Sequence, residues 1–109
     1  MIIDFDRIKE ERHDNFKGGE KYALLKMYSD DINTIIMGRL ETGASVGLHT
    51  HTDSSEIIYI IRGNGKVLYD GREEAVKSGS CHYCPKGHAH SLINNGNVEM
   101  VFYAVVPKQ

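Results

Sequence analysis

The chain has 109 residues, enough for one domain with one hydrophobic core and too few for two. Its formal net charge of -2 gives no strong positive potential, so we expect neither a nucleic-acid partner nor binding to an anionic membrane. Apolar runs stay far below the roughly 20 residues of a membrane helix. Residues 1–11 lack the basic start and apolar stretch of a signal peptide, so we expect a cytoplasmic protein.

A charged segment precedes the first predicted strand. Residues 1–20 are expected to form an N-terminal arm, a short helix or an edge strand, and residues 21–109 a single β domain. Segments rich in Val, Ile and Tyr predict strands at residues 21–28, 33–41, 46–51, 56–62, 65–70, 73–77, 80–84, 88–94 and 97–106. Their spacing of roughly 8 to 12 residues is typical of an all-β sandwich or barrel. Residues 63–65 (GNG) predict a hairpin turn.

Two histidines and a glutamate stand close together in the sequence HTHTDSSE. In a strand, His49 and His51 are two residues apart and so face the same way. Residues 52–55 predict a turn, after which Glu56 opens the next strand on the same face as Ile58. If both strands face the interior, a carboxylate and two imidazoles meet in an apolar environment, where a charge must be paired or bound to a metal.

Further histidines follow a Pro-Lys-Gly turn, at His88 and His90. Imidazole nitrogen together with carboxylate oxygen suits Fe, Mn, Ni, Zn, Co or Cu. Three histidines and one carboxylate leave open positions on an octahedral ion, where substrate, water or dioxygen could bind. A structural zinc site would instead have four ligands, more of them thiolate, and no open position.

The motif regions resemble the cupins closely. Residues 43–63 read G, five residues, HTH, four residues, E, six residues, G, and residues 79–94 read G, five residues, PKG, two residues, H, three residues, N. Fifteen residues separate the motifs, and every defined position of both is present. The resemblance extends over about residues 21–106 with the flanking strands. It implies a double-stranded β-helix, or jelly-roll, barrel with a short N-terminal arm.

The same resemblance implies a metal site and an oligomer. It assigns one divalent transition metal per chain, of unknown identity, to the ligands His49, His51, Glu56 and His90. Residues 57–61 (IIYII) are apolar on both faces, and strands of that kind are usually covered on both sides. Either the arm of residues 1–20 or a second subunit could supply the cover. Cupins often pair through such sheets and sometimes exchange an N-terminal strand, so we expect a homodimer.

Several further side chains have two interpretations each. His88 is a candidate to touch substrate or carry a proton, or else a solvated turn histidine. Ile35, Met37 and Arg39 are spaced two residues apart, so on a strand their side chains share one face. Arg39 is therefore a candidate to enter the pocket and bind an anionic substrate. The pair Cys81 and Cys84 resembles a redox or zinc motif, but on a strand these side chains point to opposite faces, which favours structural cysteines. His82 is expected at the surface or in packing.

Three functions are compatible with this pattern. The first is a metal-dependent oxidoreductase of dioxygenase type acting on a small organic substrate. A metal-dependent isomerase, epimerase or lyase acting on a sugar or small acid is the second, with the metal polarising a carbonyl. The third is a non-catalytic ligand-binding protein. Pocket walls choose the substrate, and family likeness does not identify the reaction.

Overall fold

The computed structural model describes residues 1–109 and contains two antiparallel β-sheets. Its ten strands are β1 (Glu11–Asp14), β2 (Tyr22–Ser29), β3 (Asn33–Leu40), β4 (Ser45–Thr50), β5 (Glu56–Arg62), β6 (Asn64–Tyr69), β7 (Arg72–Lys77), β8 (Cys81–Cys84), β9 (Ala89–Ile93) and β10 (Met100–Pro107). The six-stranded sheet has the order β1-β2-β3-β10-β5-β8, and the four-stranded sheet the order β4-β9-β6-β7. All nine strands predicted from the sequence are present, and the all-β, jelly-roll fold class is confirmed.

The hydrophobic core lies between the two sheets. Strand burial alternates with period two, most clearly in β5, where Glu56, Ile58 and Ile60 are buried and the intervening side chains are more exposed. The core residues are Ala23, Leu25, Ile36, Leu40, Ala44, Val46, Ile58, Ile60, Val67, Val76, Leu92, Met100, Phe102 and Ala104. The side chains of Glu56 and His90 point into this interior, at the end of the core.

The hairpin predicted at residues 63–65 is wrong. Gly63 ends β5 with φ +86°, and the chain then crosses to the other sheet as β6. A side chain on Gly63 would crowd the backbone of Glu99 and Met100, so glycine serves both the positive φ and the close packing. The turn residues do mark a change of chain direction, but local sequence does not specify which sheet the next strand joins.

Residues 1–20 take the edge-strand form. Strand β1 pairs antiparallel with β2 and so extends the six-stranded sheet of its own chain. Two short 3₁₀ turns flank it, at Phe5–Arg7 and Phe16–Gly18. Exchange of this arm between subunits stays a prediction, as do the domain boundaries at residues 20 and 21.

The outer face of β5 is only partly covered. Ile57, Tyr59 and Ile61 are between 36% and 48% exposed, as predicted for a second apolar face without its cover. The arm reaches the neighbouring strand β10, where the ring of Phe5 lies 5.6 Å from that of Tyr103. No helix in the structure has the length and apolarity that a membrane crossing requires.

Candidate metal centre

Three neighbouring strand ends carry the four predicted ligands to one point. His49 on β4 lies directly opposite His90 on β9 in the antiparallel register. His51 follows β4 by one residue, and its backbone N–H donates to the carbonyl oxygen of His88. Glu56 is the first residue of β5 in the other sheet. The cluster therefore spans both sheets, with histidines from one and the carboxylate from the other.

The donor atoms of these four residues converge. His90 Nε2 lies 3.0 Å from His51 Nε2, 3.2 Å from His49 Nε2 and 2.9 Å from Glu56 Oε1. Glu56 Oε1 lies 3.1 Å from His51 Nε2 and 3.8 Å from His49 Nε2. His51, Glu56 and His90 are buried, and His49 is half-buried. Such spacing places three nitrogen donors and one oxygen donor around a common centre.

The Nδ1 atom of each histidine, which faces away from the donor cluster, has its own hydrogen-bonding partner. His49 Nδ1 lies 2.7 Å from the carbonyl oxygen of Gly47, which can only accept, so Nδ1 carries the proton and Nε2 keeps a lone pair. His51 Nδ1 contacts the hydroxyl of Ser54 at 2.8 Å. His90 Nδ1 contacts His82 Nε2 at 3.0 Å. Hydrogen bonds of this kind fix the orientation of metal-binding imidazoles.

The donor set fits a divalent transition metal. Adjacent donors on an octahedral ion with bonds of about 2.1 Å lie about 3 Å apart, which matches most of the distances above. Imidazole and carboxylate are suitable ligands for such ions. The four side chains therefore form a group that could hold a metal ion, with one negative charge among the ligands.

Glu56 is held in its charged form. Burial acts to raise its pKa, but hydrogen bonds from His49, His51 and His90 outweigh burial and hold the pKa well below its usual range. A carboxylate held in this form is ready to bind a cation, because metal ligands of this type must be deprotonated.

A cavity of about 340 Å³ opens over the four donor atoms. Its walls are mostly apolar and come from both sheets, with polar groups near the donors. Lining side chains outside the donor set include Lys17, Leu25, Met27, Ile36, Asp53, Ile58, Leu92, Phe102 and Val106. A cavity of this size suits a small organic molecule rather than a polymer.

The N-terminal segment forms one wall of the cavity. Residues 16–18 pack against β4 so closely that a side chain on Gly19 or Gly47 would overlap the backbone of the facing segment. Ser45 Oγ also accepts a hydrogen bond from the backbone N–H of Glu20 at 2.9 Å. The sequence analysis did not assign this segment to the site. In the structure, the segment places Phe16 and Lys17 at the cavity wall.

Both predicted substrate-contacting residues lie elsewhere. Arg39 points to the outside of β3, where its guanidinium donates to Glu10 and Glu99, so its predicted entry into the pocket is wrong. Residues Ile36, Gly38 and Leu40 form the inward face of that strand instead. His88 does not line the cavity, because its ring contacts the carboxylate of Asp70 at the surface. The interpretation of His88 as a solvated turn histidine agrees with this position.

The CHYC segment contributes one residue that the sequence pattern did not assign to the site. Cys81 is exposed and Cys84 buried, both as free thiols on opposite faces of β8, as predicted. His82 is buried, and its pKa is lowered by burial and by the neighbouring His90, so the ring is neutral near pH 7. His82 was expected at the surface or in packing. In the structure, its Nε2 contacts Nδ1 of the predicted metal ligand His90.

The fold and the site together define a class: a jelly-roll protein with an internal cluster of three histidines and one glutamate. Residues 36–106 match the family model described as the cupin domain. This chain belongs to the cupin family.

A curated protein and a solved structure, both from Thermotoga maritima, match nearly the whole chain or all of it. The chain is 32% identical over 112 residues to an oxalate-binding protein, covering 97% of this chain and 93% of that one. The crystal structure of a predicted oxalate decarboxylase superposes with a TM-score of 0.93 at 29% identity and covers 100% of both chains. The polyketide cyclase RemF from Streptomyces resistomycificus shares the fold, with a TM-score of 0.80 at 19% identity over 98% of this chain and 78% of that one.

Proposed function

We propose that this protein binds one divalent transition metal through His49, His51, Glu56 and His90, and uses it to bind a small dicarboxylic acid. The observation that carries the proposal is that the four donors form the floor of a cavity instead of a closed site. An ion held there keeps positions open for a ligand. This proposal corresponds to the third function considered from the sequence, a non-catalytic ligand-binding protein, and adds dicarboxylic acids as the class of ligand.

Charge supports an acidic ligand. A divalent ion with one carboxylate and three neutral imidazoles keeps a net positive charge, and carboxylate oxygens are good ligands for such ions. Lys17 brings a second positive charge to the cavity wall, in the role that the sequence predicted for Arg39.

Likeness to the relatives supports the choice of a dicarboxylate. The relative that matches nearly the whole chain at 32% identity is named for oxalate binding. Oxalate can place two oxygens on one ion, which a monocarboxylate of the same size does less well. The apolar walls formed by Ile36, Ile58 and Phe102 exclude water around the ligand and so strengthen its electrostatic binding.

Calorimetry with oxalate tests the proposal. Protein loaded with Mn²⁺ is titrated with oxalate, and protein stripped of metal serves as the first control. We expect binding only to the loaded form, weaker binding of acetate, and loss of both metal and oxalate binding in His90→Ala. The matched control Arg39→Ala should bind oxalate as the unmodified protein does. Oxalate binding that is equal with and without metal would contradict the proposal.

Turnover at the same site is a second candidate function. The largely apolar cavity wall favours an organic substrate shielded from water, which suits the dioxygenase-type oxidoreductase predicted from the sequence. The bound metal would supply Lewis-acid or redox chemistry, and the walls would orient the substrate. Oxygen consumption by metal-loaded protein with catechol-like or β-dicarbonyl compounds tests it. Substrate conversion without oxygen consumption would instead support the isomerase or lyase interpretation.

We also propose that the protein forms a homodimer through the outer face of its six-stranded sheet. Ile57, Tyr59, Ile61 and Tyr103 make this face apolar and partly exposed. A second copy would cover them, since they stay partly exposed although Phe5 of the arm packs against Tyr103. Analytical ultracentrifugation of the protein and of Tyr59→Glu tests this. A monomer at micromolar concentration in the unmodified protein would contradict it.

A further inference from the structure

His82 is a buried polar side chain that the proposed function does not use. It lies on β8 opposite Ile58 of β5, and both side chains point into the barrel. Its Nε2 is 3.0 Å from His90 Nδ1, and the two ring centroids are 5.2 Å apart. The rings of Tyr69 and His82 pack in a T-shaped arrangement, with centroids 5.5 Å apart and planes at 75°. The contact with His90 therefore lies in a packed environment.

The proton count across this contact constrains both rings. A neutral imidazole carries one proton on one of its two nitrogens. For His90 Nε2 to bind a metal with its lone pair, the proton must be on Nδ1. Nδ1–H must then donate to His82 Nε2, which requires that His82 carry its own proton on Nδ1. In the opposite arrangement His82 donates, and His90 Nε2 carries a proton that points at the other donors.

His49 and His90 differ in this respect. The partner of His49 Nδ1 is a carbonyl oxygen, which can only accept, so the metal-binding tautomer of His49 is fixed by the backbone. The partner of His90 is an imidazole, which can accept or donate. The tautomer of His90 therefore depends on the identity of residue 82.

We propose that His82 is a positioning residue, which accepts a hydrogen bond from His90 Nδ1 and thereby holds His90 in the tautomer that binds metal through Nε2. The inference rests on the proposed metal site, but not on the ligand or the reaction. Removing the acceptor leaves a buried N–H without a partner whenever His90 binds metal. Loss of such a partner typically lowers metal affinity about 10- to 100-fold.

A competing use of His82 is a second cation. His82, Cys84 and His90 each offer a donor atom within 4.8 Å of the others. An ion there would bind His90 Nδ1 and replace the hydrogen bond. Against this, Cys84 Sγ lies 3.6 Å from the carbonyl oxygen of His88, a partner that suits a protonated thiol rather than a metal-bound thiolate. Metal stoichiometry separates the two uses.

The first measurement is Co²⁺ affinity by competition with a chelator. His82→Leu removes the acceptor at similar volume, whereas His82→Gln keeps an amide oxygen near the position of Nε2. We expect His82→Leu to lose affinity about 10- to 100-fold and His82→Gln to recover most of it. Cys84→Ala is the matched control, expected to bind one equivalent with unchanged affinity. The melting temperature of each metal-free variant shows whether it is folded.

The second measurement is spectroscopic. In Co²⁺-loaded protein, each bound histidine gives one exchangeable ring N–H signal, shifted by the metal, in proton NMR spectra. We expect three such signals, one of which moves in His82→Leu and returns toward its original position in His82→Gln. A general loosening of the structure would move all three.

Three results would overturn the inference. The first is unchanged affinity with three unchanged N–H signals in folded His82→Leu. The second is two metal equivalents per chain, one of them lost in Cys84→Ala. The third is no metal binding by the unmodified protein, which would also reject the ligand set. Metal binding without oxalate binding would reject the proposed function alone and leave the role of His82 standing.

Discussion

Gly38→Ala tests whether the cavity wall is packed as described. Gly38 on β3 lies directly opposite Phe102 on β10. A Cβ at position 38 would lie 2.7 and 2.8 Å from the two Cε atoms of the Phe102 ring, and closer still to its Cζ. Non-bonded carbons prefer about 3.5–4.0 Å, so the tip of the ring has to move by about 1 Å. The Phe102 ring lines the ligand cavity, so the displaced ring is expected to move into that cavity and reduce its volume.

The expected result is lower stability and weaker ligand binding with unchanged metal affinity. Overpacking of this kind costs about 1–3 kcal/mol, and each kcal/mol lowers the melting temperature by about 4–8 °C in a domain of up to 100 residues. Thermal unfolding measures the first effect, and oxalate calorimetry on Mn²⁺-loaded protein measures the second. Metal affinity is expected to stay the same, because the atoms nearest a Cβ at position 38 belong to Phe102 and not to a donor residue.

A double-mutant cycle with Phe102→Leu supplies the control. Leucine shortens the side chain that the added methyl group would strike, so the two substitutions together should destabilise by less than the sum of the single effects. The difference expected is about 1 kcal/mol or more, within the range of directly contacting residues. Additive effects, or an unchanged melting temperature in Gly38→Ala, would refute the packing described for this wall.

Three other predictions concern groups outside the donor set. Burial raises the pKa of the Cys84 thiol to about 11, so iodoacetamide near pH 8 should label only Cys81 in folded protein and both thiols after unfolding. The hydrogen bond from Arg39 lowers the pKa of Glu10, so this pair stabilises the fold above the unfolded pKa near 4.3 and the contribution is lost as pH falls through the lowered folded pKa. Glu10→Gln should therefore cost under about 1 kcal/mol at pH 7 in denaturant unfolding, and a cost that persists at low pH would contradict this origin. His88→Ala should leave metal affinity unchanged in chelator competition, because His88 contacts Asp70 instead of the cavity, and a tenfold loss would show a link to the donors.

Local patterns predicted much of the fold and the donor cluster. Period-two alternation and turn residues located all nine strands after residue 20, because both signals act within a few residues of chain. The two-residue spacing of His49 and His51 predicted that both face the same way, and the structure brings both to Glu56 and His90. Resemblance to a family motif supplied His90, whose distance along the chain from the other donors carries no local signal.

Arg39 and His82 show why the remaining residues were misplaced or missed. Strand β3 is apolar on both faces, so alternation alone could not decide whether Arg39 or Gly38 points inward. For His82, the deciding fact is that β8 pairs with β5 and places residue 82 opposite the buried Ile58. That pairing joins strands that are not consecutive in the chain, and single-sequence periodicity does not contain it.

The position of β10 has a consequence for how the chain folds. This strand lies between β3 and β5 and pairs with both, although it follows the other nine strands in the chain. Until it pairs, two apolar strands have open edges, which are sites of intermolecular pairing. Because its contacts join residues far apart in sequence, closure of the sheet is expected to be slow. The chain is therefore expected to be most prone to aggregation before β10 pairs. The four donor residues precede β10 in the chain, so they are all synthesised before the sheet can close.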